Sequence, residues 1–199
     1  IDGWKLSSDI GCAFMCVDGL SHYYALTQDE RVKHFLDCVI PLNFMGDVTG
    51  KTLIDVGAGA GFPSLPMKIA SDIDVTMLDS LNKRVTFLNY VSEKIGVKIT
   101  AHHLRAEEGG QKPYLREKFD FATARAVASL SSLCEYCLPF VKVGGYFVAL
   151  KGFEVEDEIK SAENALKTLG GEIEKVYKYD LDEENKRSVV MIKKVRPTP

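Results

Sequence analysis

Asp55-Val-Gly-Ala-Gly-Ala-Gly-Phe62 places three glycines at alternate positions behind an acid. Gly57, Gly59 and Gly61 let the backbone turn tightly and approach a ligand that a Cβ would hold off. The spacing is G-x-G-x-G, not the G-x-G-x-x-G of dinucleotide folds, and no helix N-terminus is clearly reserved for a pyrophosphate. Asp79 closes the next apolar run, where a carboxylate can accept both hydroxyls of a ribose. Asp79 also reads as a cap for the helix that follows it, and Asp55 as a structural acid tying down the glycine loop. Phe62, at the loop exit, suits packing on a cofactor as well as in a core. Cys12, Cys16, Cys38, Cys134 and Cys137 read as reduced thiols. The Cys12/Cys16 and Cys134/Cys137 pairs fall in segments of helical periodicity, which favours packing over a four-thiolate zinc site, so no metal is expected.

These residues need strands and helices to position them. Thr27-Gln28-Asp29-Glu30 fits a capping box. Val32, Phe35, Leu36 and Val39 follow as one apolar helical face, which Pro41 ends. Past Gly50 the rhythm changes. Leu53–Val56, Val75–Leu78, Val97–Ala101, Phe119–Ala124 and Tyr146–Leu150 read as strands. Ser64–Ala70, Lys83–Ile95, Leu130–Phe140 and Val155–Leu169 read as the helices between and after them. Glu172–Tyr179 and Ser188–Lys193 look like a closing strand pair around the polar stretch Asp180–Arg187. Alternation at this spacing implies an α/β fold: a mostly parallel sheet covered on both faces, with an antiparallel edge.

The motifs together resemble the glucose-inhibited division protein B family, the bacterial ribosomal RNA guanine-N7 methyltransferases. The matching pieces are Val32-Lys-His-Phe-Leu-Asp37, Asp55-Val-Gly-Ala-Gly-Ala-Gly-Phe-Pro63, Leu78-Asp-Ser-Leu-Asn-Lys-Arg84, Arg105-Ala-Glu107, Arg125-Ala-Val-Ala-Ser-Leu130 and Leu150-Lys-Gly152. The resemblance runs from about Leu26 to Lys193. It departs at Ala25-Leu26-Thr27, where the family usually has Asn-Leu-Thr. It implies a Rossmann-like class I methyltransferase domain over residues 51–199, a helical N-terminal extension over residues 1–50, and S-adenosylmethionine as cofactor. It further implies that Gly57 and Phe62, with Gly59 in the same loop, contact the cofactor's methionine side. Asp79 would hold the ribose, Ala106 and Glu107 would frame the adenine, and Arg125 matches a cofactor-contacting position.

Methyl transfer is an in-line displacement, so alignment and electrostatic surroundings dominate. Guanine N7 offers a free lone pair and needs no general base. Other acceptors leave marks that are missing here. Exocyclic amine methylation resembles an Asn/Asp-Pro-Pro-aromatic loop, where this chain reads Thr123-Ala-Arg-Ala126. Cytosine C5 methylation needs a cysteine beside proline, and no Pro-Cys occurs. Ribose 2′-O methylation resembles a Lys-Asp-Lys-Glu set; Lys151 suits one lysine, but Arg125 stands where the Asp would be. Arg125 is the orienting candidate, suited to guanine O6 or a phosphate, with a structural ion pair as the alternative. Lys33, Lys151 and Arg187 are candidates for RNA phosphates or for solvated cations. His34 suits base stacking or phosphate, or a plain surface position. Lys186, Arg187, Lys193, Lys194 and Arg196 make the C-terminal end basic, as an RNA patch or a soluble edge. A methyltransferase for a ribose hydroxyl or a small molecule, and a non-catalytic cofactor-binding protein, remain the competing functions.

Formal net charge is -3 over 199 residues, so any RNA surface has to be a local patch. No window reaches a membrane span of about 18 apolar residues, and residues 1–20 lack a signal-peptide pattern. The expectation is a cytoplasmic monomer acting on 16S ribosomal RNA or the small ribosomal subunit, with no membrane or DNA partner.

Overall fold

The computed structural model describes residues 28–125 and 128–199. The Thr27 capping box and the Cys12/Cys16 pair lie outside the described residues.

Helix α1 spans Gln28–Val39. Pro41 sits in the first turn of the 3-10 segment Ile40–Phe44 that succeeds it, as its missing N–H requires. The buried face is Phe35 and Cys38, whereas Leu36 is 44% exposed. The apolar face therefore turns away from the expected Phe35/Leu36 seam. The reason is the partner surface: Phe35 and Cys38 close on Phe62 at the exit of the glycine loop.

The sheet strands are β1 (Thr52–Val56), β2 (Asp74–Asp79), β3 (Thr100–His103), β4 (Phe119–Ala124), β5 (Val141–Gly152), β6 (Gly171–Asp180) and β7 (Lys186–Lys194). They lie in the order β3-β2-β1-β4-β5-β7-β6. The first five are parallel, and β7 runs antiparallel to both β5 and β6. The interleaved helices are α2 (Ser64–Ala70), α3 (Asn82–Lys94), α4 (Ala106–Gly109), α5 (Leu130–Cys137) and α6 (Glu156–Leu169). Strand residues alternate between two cores. Ile54, Ala122, Phe147 and Ile192 face one that includes Leu133 of α5 and Leu166 of α6. Leu53, Phe121, Val148 and Met191 face the other, with Met67 of α2 and Leu88 of α3. Burial on both faces is what parallel strands demand.

Two boundaries shift from the sequence reading. Strand β3 starts at Thr100, not Val97. The Val97 amide is used by Ser92 O at the end of α3, and pairing with β2 begins only at Thr100. Val97 and Ile99 pack under the sheet as connection, so their hydrophobicity is real while their ladder is not. Strand β5 begins at Val141, with a register shift against β4 that absorbs the Gly144-Gly145 pair. The chain order reverses direction across the sheet between β1 and β4. Crevices at the carboxyl ends of parallel strands beside such a switch point are where ligands bind in open α/β sheets.

Candidate functional site

Two clefts open at those carboxyl ends. The smaller, about 230 Å³, is lined by Gly57, Asp79, Ala106 and Glu107 together with Leu78, Ser80, Leu104, Leu133 and Tyr136. Four of the expected cofactor residues thus converge. The amides of Gly57 and Ala58 both donate to Leu78 O, at 2.8 and 3.1 Å, which pins the glycine loop to the end of β2. Gly57 has φ +77°, and a Cβ there would meet nothing within 4 Å: the residue faces open space, a cradle for a ligand.

Asp79 is 2% exposed. Its Oδ2 accepts from Gly59 N at 2.9 Å, and its Oδ1 from Leu81 N at 2.9 Å. Arg84 Nη1 stands 3.4 Å away. Asp79 therefore organises both the loop and the turn into α3, and it does so while facing the cleft. Gly59 serves through that bond and not as a lining residue. Asp55 lies fully buried beneath the loop; its Oδ2 accepts from Ser64 Oγ at 2.5 Å, while Oδ1 has no partner among the described residues. Burial pushes its carboxyl up to about 6.

The larger cleft, about 480 Å³, is lined by His34, Asp37, Arg125, Leu150, Lys151, Gly152, Glu154, Glu158, Tyr179 and Arg187. Arg125, just past β4, donates from Nη2 to His34 Nε2 at 3.1 Å. Its guanidinium carbon sits 5.4 Å from the centre of the Phe62 ring. His34 packs 4.6 Å from the same ring. Burial first, and then the Arg125 charge, hold the His34 imidazole down at about 4. His34 is thus a half-buried residue of the cleft wall and not a plain surface histidine. Phe62 is 8% exposed and belongs to the α1 seam; the structure sets it and Arg125 beside the larger cleft, apart from the lining of the smaller.

Lys151 is not a solvated lysine. Its Nζ is 2.6 Å from Glu158 Oε2 and donates to Ala128 O at 3.0 Å. Glu158 Oε2 also accepts the Leu130 amide at 2.8 Å, so this strut joins β5, α6 and the start of α5. Arg187 Nε stands 3.5 Å from Asp37 Oδ2, while Tyr179 Oη donates to Asp37 Oδ1 at 3.0 Å. Tyr179 and Arg187 are paired in register across β6 and β7, which brings both to Asp37. Lys33 pairs with Asp182 at 2.7 Å. Lys194 leaves the basic C-terminal group: it is fully buried, donating to Leu138 O at 2.7 Å and to Thr198 Oγ1. Cys134 and Cys137 are buried in α5, and burial raises both thiols, Cys134 to about 12.

Sequence reasoning missed Asp37, Glu154, Glu158 and Tyr179. Asp37 lies inside the Val32–Asp37 motif, a signal that was available. The others acquire their place only through β5–α6 and β6–β7 geometry.

The strand order, the glycine loop after β1 and the acid ending β2 define a Rossmann-like, S-adenosylmethionine-dependent methyltransferase. A solved structure of geranyl diphosphate methyltransferase in complex with SAM shares the fold at TM-score 0.66 and 12% identity, covering 90% of this chain and 92% of that one. The chain belongs to the family described as GidB, rRNA small subunit methyltransferase G, whose model matches residues 25–189. The ribosomal RNA small subunit methyltransferase G of Clostridium botulinum is 49% identical over 180 residues, which cover 88% of this chain and 75% of that relative. The protein of the same name from Lactobacillus acidophilus is 49% identical over 181 residues, 87% of this chain and 75% of that relative.

Proposed function

We propose that this protein transfers a methyl group from S-adenosylmethionine to N7 of a guanine in 16S ribosomal RNA. The observation that carries the reading is the larger cleft. Its volume of about 480 Å³ suits a nucleotide-sized ligand, and it stands at the strand ends beside the cofactor cleft. The histidine and the tyrosine of its lining are both moved away from neutral pH, where an efficient general base would sit. His34 is held down at about 4, and burial together with Asp37 pushes the Tyr179 hydroxyl well above its ordinary range. Guanine N7 needs no base.

S-adenosylmethionine supplies an electrophilic methyl on a sulfonium. Asp79 would hold the ribose hydroxyls on acceptor sites that its bonds to the Gly59 and Leu81 amides leave over, since a carboxylate offers about four. Ala106 and Glu107 would frame the adenine, and Gly57 would let the backbone approach the methionine side. Arg125 orients the base and offsets negative charge in the cleft. Among the described residues no helix is long and apolar enough to cross a membrane, and a ribosome-modifying enzyme works in the cytoplasm.

The test is single-turnover methylation of small-subunit RNA carrying 7-deazaguanosine at the target, over roughly pH 6–9, the span in which a tuned base titrates. No transfer to the 7-deaza RNA is expected, and no base-dependent limb with the natural RNA. Robust transfer to the 7-deaza base would remove N7 as the acceptor.

A further inference from the structure

The charges lining the larger cleft mostly cancel within the chain. Lys151 is matched by Glu158. Arg187 is matched by Asp37, whose other oxygen takes the Tyr179 hydroxyl. Two lining charges are left over. Arg125 has only uncharged groups at bonding distance among the described residues, the His34 imidazole and the Cys38 thiol at 3.4 Å. The Glu154 carboxylate has no hydrogen-bond or ion-pair partner among the described residues.

Glu154 follows Gly152, the end of β5, and precedes α6. Lys151 on one side of it is tied to Glu158 on the other, so the backbone that presents Glu154 is braced at both ends while the side chain is exposed. An acid facing an RNA is repelled by phosphates unless hydrogen-bond donors meet it. Guanine supplies such donors. Its N1–H and N2–H₂ lie side by side on one edge, and its acceptors O6 and N7 on the other. Adenine presents an amine where guanine has O6 and no proton on N1. One unmatched cation and one unmatched anion in a single nucleotide-sized cleft complement guanine and oppose adenine. Asp37 and Glu158 are poorer readers of the donor edge, because both oxygens of Asp37 already meet Tyr179 and Arg187, and Glu158 Oε2 is held by Lys151 and the Leu130 amide.

We propose that Glu154 selects the acceptor base: its carboxylate accepts from N1–H and N2–H of the guanine seated in this cleft while Arg125 donates to O6, leaving N7 free. The assignment rests on the guanine-N7 reading above. It makes Glu154 a specificity residue that contacts the substrate and takes no proton from it.

The experiment measures kcat/KM on an RNA fragment spanning the mapped methylation site, made with guanosine, inosine or 7-deazaguanosine at the target. Inosine keeps N7, O6 and N1–H and lacks only the N2 amine. The wild-type enzyme is expected to prefer guanosine to inosine by about tenfold, the scale of one charge-assisted hydrogen bond. Glu154→Ala and Glu154→Gln are expected to lose at least about tenfold on the guanosine RNA and to narrow that preference to within about twofold. Their affinity for S-adenosylhomocysteine stays at the wild-type value. A wild type that treats the two bases alike, a preference that survives in both variants, or a fall in S-adenosylhomocysteine affinity overturns the assignment. Methylation of the 7-deazaguanosine RNA by the wild type is a separate result, which overturns the N7 reading itself.

Discussion

At the scale of single residues, half-buried His34 and buried Asp55, both near Arg125, titrate in one window with opposite signs. His34 is held down from 6.5 to about 4. Between those values the unfolded chain binds the proton more tightly, so this residue contributes stability that is complete above about pH 6.5 and lost as pH falls toward 4. Asp55 is pushed up from 3.8 to about 6, chiefly by burial. Its contribution is complete below about pH 3.8 and lost as pH rises through 6. The two oppose each other, and the variants separate them. Relative to wild type, His34→Gln is expected to make stability fall between about pH 4 and 6, and Asp55→Asn to make it rise, each by roughly 1–3 kcal/mol across the window. Urea unfolding at a series of pH values reads both difference curves. A His34→Gln curve parallel to wild type would mean that the imidazole titrates normally and lies outside the Arg125 field.

At the scale of elements, the glycine loop divides its work between two positions. Gly61 has φ +93°, and a Cβ there would stand 3.1 Å from Leu88 Cδ2 and 3.2 Å from Leu65 Cβ. Gly57 is also left-handed but has open space where the side chain would go. Gly61→Ala is therefore expected to lower stability by about 2–4 kcal/mol, combining backbone strain with overpacking. Gly57→Ala should cost only about 1–2 kcal/mol of strain yet lose most S-adenosylhomocysteine binding. Thermal unfolding and calorimetric titration on both variants decide it; equal stability losses would contradict the division. This contrast also marks where sequence reading stops. The G-x-G-x-G loop and the acid of β2 are local patterns, and Gly57, Asp79, Ala106 and Glu107 duly meet in one cleft. Most strands and helices were legible because apolar period follows burial. Strand β3 starts later than hydrophobicity suggests because Val97 and Ile99 are partly buried without being paired, a distinction hydrophobicity does not carry. The Lys151–Glu158 strut and the Arg125–His34 contact depend on which elements become neighbours, and residue type alone reads them as free lysine and surface histidine.

At the scale of the whole molecule, an enzyme with 25 basic and 28 acidic side chains has to meet a polyanion. Three of its candidate cations are already matched within the chain: Lys33 with Asp182, Arg187 with Asp37, and Lys151 with Glu158. Beside them Lys178 pairs with Glu156 at 2.7 Å, and Lys178 and Lys186 lie over the Phe153 ring at 4.3 and 5.4 Å. Phosphates reaching these paired cations must displace carboxylates before they gain a contact. The dependence of RNA affinity on salt should then be shallower than a count of basic residues implies, because counterion release scales with the charge newly neutralised. Neutralising the internal partners exposes the difference. Asp182→Asn and Glu156→Gln, each removing one carboxylate from a lysine, are expected to tighten RNA binding at low salt. Each should steepen the plot of log affinity against log salt by up to about 1. Filter binding or anisotropy with small-subunit RNA from low to physiological ionic strength provides the measurement. Slopes that match wild type in both variants would place the RNA path away from Lys33 and Lys178, on another face of the domain.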